Sequence, residues 1–431
     1  MFSMSGHREN GGRDGYFKKG ITWNFIGTSK FGVRLMPTGC LFDVAGSALF
    51  TSEEYLYYLL GFLSSTVCNE ILKILNPTVN YQAGNIKSLP VLKDREDEIK
   101  CLVLENVDIA KRDWNEFETS WGFTVHPFVS YVPQIGESTY LSDIYKKWMN
   151  DSNALFAQLK SNEEILNRIF IDIYGMDNEL TPDVDDRDVV VRKAELQREV
   201  RSLLSYAVGC MFGRYSVDAP GLTFAGGRWD ETAYKTYKPD QDGIIPICDD
   251  EYFDDDIVGR CVDFIKIVFG ESSLEENLSF IAKALGGKGT SREVIRNYFI
   301  NDFYADHLKI YQKRPIYWLF DSGKKNGFKC LVYIHRYQPD TIARIRTDYV
   351  HEQQSRYRTA IADLENRINS AATSERVKLN KQLSSLQAQA SEIRDYEEKI
   401  HHLADQMISI DLDDGVKHNY EIFKDVLAKI K

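Results

Sequence analysis

Basic and amide side chains concentrate in two polar segments near the N-terminus of this 431-residue chain. The first segment begins with glycines around a basic residue, and its candidate contact residues are Arg13, Lys18, Lys19, Asn24, Thr28, Ser29, Lys30 and Arg34. The second segment is a loop that contributes Asn80, Gln82 and Asn85. Lysine and arginine neutralise phosphates, whereas asparagine, glutamine, serine and arginine form hydrogen bonds with base edges in the major groove. These residue types therefore point to contact with duplex DNA, although an ordinary polar surface loop has the same composition.

The charge of the chain is unevenly distributed along the sequence. The whole chain carries a formal net charge of −11, yet residues 1–95 contain ten Lys or Arg against seven Asp or Glu, a local balance of +3. The remaining residues therefore carry −14. An acidic body argues against a protein that coats nucleic acid without preference, whereas a basic end is compatible with a DNA-facing domain. A small basic excess is also common on a solvated surface.

No catalytic motif accompanies the polar segments. Amino-methyltransferases act on a flipped base with an Asn/Asp-Pro-Pro-Tyr/Phe loop, whose oxygen atoms accept the amine protons while its ring stacks on the base. The closest string, NPTV at residues 76–79, lacks the second proline and the aromatic residue and is interpreted as a helix end. The string GGKGT at 286–290 lacks the order of a phosphate-binding loop and is interpreted as a loop before a helix capped by Ser291. The sequence therefore predicts no catalytic residue and no cofactor bound by this chain.

Acidic clusters and histidines give no metal-binding pattern. The clusters at 183–186 and 249–256 lack the Asp/Glu-x-Lys partner of a nuclease and the pattern of a calcium loop, so they are interpreted as solvated loop acids. His126, His401 and His402 do not have metal-ligand spacing. We therefore expect no metal site.

The seven cysteines are scattered and never form a Cys-x-x-Cys pair. Because most of them have apolar neighbours, we expect buried free thiols in a reducing compartment rather than disulfides or a zinc site. The sequence has no uninterrupted apolar stretch of about 18 residues, and its N-terminus has no apolar signal core. We therefore expect a cytoplasmic protein with no membrane partner.

The sequence predicts an α+β fold. The polar residues are positioned by a mixed α/β domain at residues 1–95. Its strands are predicted where β-branched and aromatic residues lie between turn residues, at 21–26, 31–35 and 40–44. One helix at about 53–75 follows, with Ser52 as its cap. This helix ends before Pro77, because proline disfavours helical geometry in the residue before it.

The rest of the chain is predicted to be mainly helical. A connector helix at 96–125 leads to a helical middle domain at 126–340, which contains a β-hairpin near 314–334. Residues 341–408 have apolar residues at heptad-like spacing with one polar interruption, which predicts a C-terminal antiparallel coiled-coil hairpin. Its two apolar stripes are Ile361, Leu364, Ile368 and Ala371, and then Leu379, Leu383, Leu386, Ala390 and Ile393. A tail helix is predicted at 409–431.

Several strings resemble large adenine-specific DNA methyltransferases. The opening of their target-recognition domain is similar to YFKKGITW at residues 16–23. The pattern continues in FDVAGS at 42–47, YLLGFLSS at 58–65 and NPTVNYQAGNIKSLPV at 76–91. Type I specificity subunits and fused restriction–methylation enzymes share its looser form, a leucine-rich helix followed by Ile-x-x-Leu-Pro. The closer resemblance is to the methyltransferase of bacteriophage-exclusion (BREX) defence systems, which the strings at 162–175, 206–215 and 410–420 also fit.

The resemblance covers nearly the whole chain and implies that residues 1–95 form a target-recognition domain that chooses the methylation site. In this family the cofactor-binding and base-methylating motifs lie in an N-terminal half that is absent from this sequence, so the chain alone is expected to be inactive. That half is expected to bind S-adenosylmethionine and to methylate adenine at N6. The resemblance also implies three kinds of partner: double-stranded DNA, the catalytic methyltransferase half and other BREX defence proteins.

Two alternative functions stay open. One is a protein-interaction scaffold of the defence complex, in which the acidic helical body and the coiled coil matter and DNA contact is incidental. The other is the recognition half of a fused restriction–methylation enzyme, because such enzymes share the looser form of the pattern.

Overall fold

The computed structural model describes residues 13–27, 30–132 and 139–430. The described part is mostly helical and contains two three-stranded antiparallel sheets, which confirms the α+β class. The chain divides into two compact units, the first formed by Met1–Trp114 with Asn150–Lys193 and the second by Asn115–Met149 with Ala194–Lys431. The first unit therefore extends beyond the predicted domain at 1–95.

The first unit contains a small sheet followed by helices. Its strands are β1 (Gly20–Asn24), β2 (Val33–Met36) and β3 (Gly46–Leu49), in the spatial order β2-β1-β3. Its helices are α1 (Glu53–Ser64), α2 (Thr66–Leu75), α3 (Ala83–Lys87) and α4 (Glu96–Asn115). The next two helices are α5 (Pro127–Tyr131) in the second unit and α6 (Leu141–Tyr174), whose residues from Asn150 onward belong to the first unit.

The core of the first unit forms around α1, which contacts the sheet on one side and the helices α4 and α6 on the other. Ile21 and Trp23 of β1 are both buried in this core. Gly61 of α1 allows a close approach, since a Cβ atom at this position would lie 2.9 Å from Val103 of α4 and 3.7 Å from the Phe170 ring of α6. A larger residue at Gly61 would therefore separate the helices that support the sheet.

The prediction of a third strand at 40–44 is wrong. The backbone N–H groups of Ala45 and Gly46 donate hydrogen bonds to Oδ1 of Asp43, at 2.8 and 3.0 Å, which forms a turn at the end of the predicted strand. The third strand is β3, which starts after this turn and contains mostly small residues of low strand propensity. It is held by pairing with β1, where Ala48 lies opposite Thr22. Tertiary pairing outweighs local preference here.

The predicted single helix at 53–75 is two helices, bent by 73° between α1 and α2. Ser65 is extended at the bend, and its side chain caps α2 by accepting a hydrogen bond from the Cys68 N–H at 3.2 Å. The predicted end before Pro77 is confirmed, whereas the side chain of Ser52 makes no capping hydrogen bond. Among the described residues no single helix is long and apolar enough to cross a membrane; the bent pair of α1 and α2 meets these criteria by length and composition.

The second unit is mainly helical and encloses the second sheet. Its further helices are α7 (Leu196–Met211), α8 (Ile257–Phe269), α9 (Leu274–Leu285), α10 (Ser291–Asn301), α11 (Phe303–Ile310), α12 (Thr341–Arg344), α13 (His351–Ser370), α14 (Thr373–Ala404) and α15 (Val416–Phe423). Its strands are β4 (Ile244–Pro246), β5 (Tyr317–Asp321) and β6 (Lys329–Tyr333), in the order β4-β6-β5. The predicted hairpin near 314–334 corresponds to β5 and β6, which pair antiparallel with Trp318 opposite Val332.

The helices α13 and α14 occupy the region of the predicted coiled-coil hairpin and contact each other. They are separated only by residues 371–372, within the predicted polar interruption. Leu364, Leu379 and Ile393 of the two predicted apolar stripes are buried. The burial fits two packed helices, while coiled-coil geometry stays a prediction.

Most cysteines are buried, as the sequence predicted. All seven are free thiols, and the five buried ones are Cys68, Cys210, Cys248, Cys261 and Cys330. Cys40 is partly exposed and Cys101 is exposed. Burial raises the pKa of the Cys68 thiol to about 12, so this group stays protonated at neutral pH.

The glycine-rich string at 286–290 precedes a helix, as predicted, but the cap of α10 is Thr290 rather than Ser291. The Thr290 hydroxyl accepts a hydrogen bond from the Glu293 N–H at 3.3 Å, and the Glu293 carboxylate accepts one from the Thr290 N–H at 2.7 Å. This reciprocal capping box fixes the start of α10, and Ser291 is its first residue.

The interpretation of the cluster at 249–256 as solvated acids is wrong for Asp256, whose exposed fraction is 0%. Asp256 accepts two hydrogen bonds from the guanidinium group of Arg296, at 2.8 and 2.9 Å. It also caps α8 by accepting a hydrogen bond from the Val258 N–H at 3.0 Å. The buried carboxylate therefore joins α8 to α10, whereas Asp254 of the same cluster is exposed.

Replacement of Asp256 by alanine should strongly destabilise the second unit. The substitution leaves the Arg296 charge buried without its partner and removes a helix cap, and breaking a buried ion pair in this way costs about 3–5 kcal/mol. We expect a loss of this size in the free energy of unfolding, measured by urea denaturation. Asp254→Ala is the matched control and should lie within about 0.5 kcal/mol of the natural chain. Equal unfolding midpoints for the two variants would contradict the structural role of Asp256.

Candidate nucleic-acid interface

The first sheet sorts the residues of β1 onto two faces. Ile21 and Trp23 point into the core, so Thr22 and Asn24 lie on the opposite face, because successive strand residues alternate. Arg34 of β2 lies opposite Thr22 and therefore shares this outer face. The outer face thus presents two predicted DNA-contact residues, Asn24 and Arg34, both of which are exposed.

Three predicted lysines lie at the two ends of the sheet. Lys18 and Lys19 immediately precede β1, and we call their side of the sheet the lysine end. Lys30 lies in the connection at the other end, where an isolated bridge pairs Ile26 with Asn80. A strand rises about 3.3 Å per residue, so the four steps of β1 place the two ends roughly 13 Å apart. The predicted contacts are therefore distributed along the sheet rather than gathered at one point.

Two of the predicted lysines are already paired with carboxylates. Nζ of Lys19 lies 3.2 Å from Oε1 of Glu53 and donates a 2.6 Å hydrogen bond to the Tyr57 hydroxyl. The hydrogen bond to Tyr57 is the main cause of the raised pKa of Lys19, to which Glu53 also contributes. Nζ of Lys30 lies 2.6 Å from Oδ2 of Asp188. A phosphate would therefore have to compete with Glu53 and Asp188 for these ammonium groups.

Lys18 and Arg34 are the predicted basic residues that face solvent without such competition. Both are exposed, and within residues 13–27, 30–132 and 139–430 neither forms an ion pair with a carboxylate. Nη1 of Arg34 donates a 2.8 Å hydrogen bond to the Val33 carbonyl oxygen, which leaves further guanidinium N–H groups for a ligand. These two cations are the stronger candidates for phosphate or base contact.

The second polar loop has a structural role in addition to its predicted contact role. The Tyr81 N–H donates to the carbonyl oxygen of Phe25 at 2.7 Å, which fixes the loop to the end of β1. Asn85 caps α3, since its Oδ1 accepts a hydrogen bond from the Gln82 N–H at 3.0 Å. Asn80 and Gln82 flank Tyr81, and Gln82 is exposed. Base contact by the Asn85 oxygen would therefore require loss of this cap.

The remaining three predicted residues have less structural description. Arg13 begins a short 3-10 turn, Arg13–Gly15, and its side chain lies outside the described part of the chain. Thr28 and Ser29 lie outside the described residues. Their predicted contacts with DNA stay predictions.

Glu163 of α6 is an acidic neighbour of this surface that sequence reasoning missed. Burial raises the pKa of its carboxyl group to about 7, with Asp188 and Glu164 acting in the same direction. The nearby positive charges of Arg34 and Lys30 act in the opposite direction. No local pattern could reveal this proximity, because Glu163 follows the last strand of the sheet by more than a hundred residues.

The folded first unit is less basic than its N-terminal sequence. Residues 1–114 and 150–193 together contain 18 Lys or Arg against 23 Asp or Glu, a net charge of −5. The acidic cluster at 183–186 belongs to this unit and is exposed at Asp186, whose carboxylate pairs with Lys160 at 2.7 Å and Lys193 at 2.8 Å. Any attraction of this unit for a polyanion is therefore local, at Lys18, Arg34 and their neighbours.

Three carboxylates in the second unit form another candidate site. Oxygen atoms of Asp240, Asp242 and Asp255 lie within 4.8 Å of one another, close enough to share a metal ion. Burial raises the pKa of Asp242 to about 7, and Asp240 acts in the same direction. The Tyr349 hydroxyl donates to Asp242 and Asp255, and the Gly243 N–H donates to Asp240. The protein thus supplies hydrogen bonds to all three acids. Whether they also bind a metal ion is not tested by these contacts, and the expected absence of a metal site stays a prediction.

Two curated proteins match this chain over nearly its whole length, whereas no family model matches it. The adenine-specific methyltransferase PglX of Lacticaseibacillus casei (strain Zhang) is 41% identical over 410 residues, which cover 94% of this chain and 34% of PglX. The adenine-specific methyltransferase BrxX of Escherichia coli O9:H4 (strain HS) is 38% identical over 451 residues, which cover 97% of this chain and 37% of BrxX. This chain is homologous to the PglX and BrxX adenine-specific methyltransferases.

The homology confirms the family resemblance seen in the sequence. The chain spans about a third of the length of these relatives, so it corresponds to a part of such a methyltransferase. The alignment with BrxX covers 97% of the chain and therefore includes the first sheet and the polar loop at 80–85. The surface built by β1 and β2 thus lies within the region that is homologous to an adenine-specific methyltransferase.

Replacement of Glu163 by glutamine should change how stability depends on pH. Between the ordinary pKa of glutamic acid and about 7, the folded chain holds the Glu163 proton whereas the unfolded chain has released it. The folded state then binds more protons, so the stability of the natural chain falls as pH rises through this window. Glutamine does not titrate, so the substitution removes this pH dependence of stability. We expect the free energy of unfolding of Glu163→Gln, relative to that of the natural chain, to rise by on the order of 1 kcal/mol per pH unit between about pH 5 and 7.

Urea denaturation at several pH values measures this difference. Glu179→Gln removes one charge at an exposed position of the same unit and serves as the reference substitution. A pH-independent difference between Glu163→Gln and the natural chain would show that Glu163 is not buried as described.

Proposed function

We propose that this chain is the DNA-recognition part of an adenine-specific methyltransferase of a bacteriophage-exclusion defence system. It corresponds in this proposal to the C-terminal part of the longer enzyme, and its first unit selects the duplex site. The catalytic part binds S-adenosylmethionine and transfers the methyl group, with other defence proteins as further partners. The observation that carries the proposal is an exposed sheet face with Arg34 and Asn24 in a chain homologous to adenine-specific methyltransferases.

The shape of the outer sheet face supports a groove contact. On this face Gly46 lies opposite Asn24 and Ala48 lies opposite Thr22, so the β3 edge of the sheet carries little side-chain bulk. Arg34 lies beside Thr22 on the other edge. The major groove is about 12 Å wide and admits a two-stranded ribbon, which is comparable with the roughly 13 Å length of β1. Arginine and asparagine are the side chains that pair with guanine and adenine edges in this groove.

The electrostatics support binding that is local and sensitive to salt. Lys18 at the lysine end and Arg34 on the outer face form no ion pair among the described residues, while Lys19 and Lys30 exchange a carboxylate for a phosphate on binding. Each phosphate contact releases condensed counterions from DNA, so affinity falls as salt concentration rises. The net charge of −5 on the unit weakens attraction at a distance and favours contacts made in one orientation.

Replacement of Lys18 or Arg34 by alanine should weaken binding to duplex DNA. Loss of one phosphate contact should reduce the slope of log K against log salt by about 1. The measurement is fluorescence anisotropy of the full chain with a labelled duplex of about 30 base pairs, at salt concentrations between about 50 and 200 mM. Lys309→Ala, at an exposed lysine of the second unit, should leave both affinity and slope unchanged.

Two outcomes would contradict the proposal. One is the absence of measurable duplex binding by the natural chain at the lowest salt concentration. The other is a natural affinity that Lys18→Ala and Arg34→Ala leave unchanged, because DNA would then bind elsewhere or only through a scaffold role of the chain.

Replacement of Asp188 by asparagine should strengthen duplex binding. The substitution releases Lys30 from its 2.6 Å ion pair, so that its ammonium group binds a phosphate without first losing a carboxylate partner. We expect affinity to rise several-fold, because Lys30 binds the same phosphate without the cost of losing its carboxylate partner, while the salt slope stays close to that of the natural chain. Asp183→Asn is the matched control, since it removes the same charge from the same exposed loop without releasing a described lysine. An equal gain in both variants would show that only the net charge matters.

A further inference from the structure

Phe17 has an unusual backbone and an exposed ring. It lies in the turn before β1 with a φ of 64°, a left-handed conformation that bulky residues rarely adopt. The residue is 61% exposed, and its ring makes an edge contact with the Tyr16 ring, with centroids 6.5 Å apart. Among the described non-glycine residues with positive φ, Phe17 is the only aromatic one. The side chain is mostly in solvent. Packing in the core therefore does not explain why a phenylalanine occupies this strained position.

The backbone of Phe17 is held on both sides. Its N–H donates to the carbonyl oxygen of Cys40 at 2.9 Å, and its carbonyl oxygen accepts a hydrogen bond from the Gly39 N–H at 3.0 Å. The ring therefore starts from a fixed Cα position rather than from a loose terminus. Leu41 follows Cys40 in the facing segment and is exposed. The lysine end of the sheet thus combines a held aromatic residue with a further exposed apolar side chain.

Cations lie directly beside this aromatic residue. Lys18 follows Phe17 and is exposed, and Lys19 is the next residue. Asp14 of the same segment is exposed, and Lys19 is already paired with Glu53, whereas Lys18 forms no ion pair among the described residues. Lysine is depleted in the cores of protein–protein interfaces, whereas an exposed aromatic ring beside cations is a combination that binds bases and phosphates together. The charge around Phe17 therefore favours nucleic acid over a protein partner.

We propose that the Phe17 ring packs against the bases of duplex DNA at the lysine end of the sheet, next to a phosphate bound by Lys18. The inference rests on the proposed DNA-recognition function and adds a contact that does not depend on charge. Apolar side chains that enter a base step unstack it partly and bend the duplex, which brings more protein surface into contact. The fixed backbone lowers the ordering cost of such a contact, because the ring is presented before DNA arrives.

The experiment compares Phe17→Gly with the natural full-length chain in the same anisotropy assay. Glycine adopts positive φ without strain, so this variant removes the ring and relaxes the backbone together. Thermal unfolding should show no loss of stability. We expect duplex affinity to fall about tenfold, which is within the range of one base–aromatic contact, and to fall by the same factor at every salt concentration. The salt slope should be unchanged, because no phosphate contact is lost.

The controls separate this inference from the function on which it rests. Leu222→Ala, at an exposed apolar residue of the second unit, should bind as the natural chain does. If the natural chain binds duplex DNA and Phe17→Gly binds it equally well, the ring contact is overturned while DNA recognition stands. A reduced salt slope in Phe17→Gly would also overturn it, since the turn would then serve only to position lysines. Absence of duplex binding by the natural chain would overturn both proposals.

Discussion

Burial of Ile21 and Trp23 against α1 decides which side chains of the first sheet are available to a ligand. A strand alternates its faces, so these two inward residues commit Thr22 and Asn24 to the outer face. The pairing of β1 with β2 then places Arg34 on the same face. A shift of one residue in this register would bury the polar set and expose the apolar one. The chemistry of the surface therefore depends on the packing beneath it.

The acidic residues of the first unit compete with any bound anion for its lysine and arginine side chains. Glu53 and Asp188 hold two of the predicted lysines, and Glu163 lies partly buried near Arg34. An anion that binds Lys19 or Lys30 must first displace its internal carboxylate partner. Such competition favours selectivity over affinity.

The sequence predicted those features that local preference controls and missed those that distant contacts control. The first two strands were placed within two residues, because β-branched and aromatic residues mark them. The third was misplaced, since β3 is made of small residues that pair only in the folded sheet. The bend at Ser65 and the burial of Asp256 were missed for the same reason: a capping bond and a guanidinium partner decide them. The candidate lysines were found by composition, but their carboxylate partners Glu53 and Asp188 follow from the fold.

The first unit is assembled from two stretches of chain, and this has a consequence for how it is made. Residues 166–171 of α6 complete the core in which Gly61 and the rings of Tyr58 and Phe62 are buried. During synthesis the sheet and α1 therefore leave the ribosome well before the segment that covers them, with an apolar helix face open to water. A fragment cut at residue 95 would keep every predicted contact residue yet lack the support beneath them. A fragment that keeps the first sheet folded must therefore extend through α6.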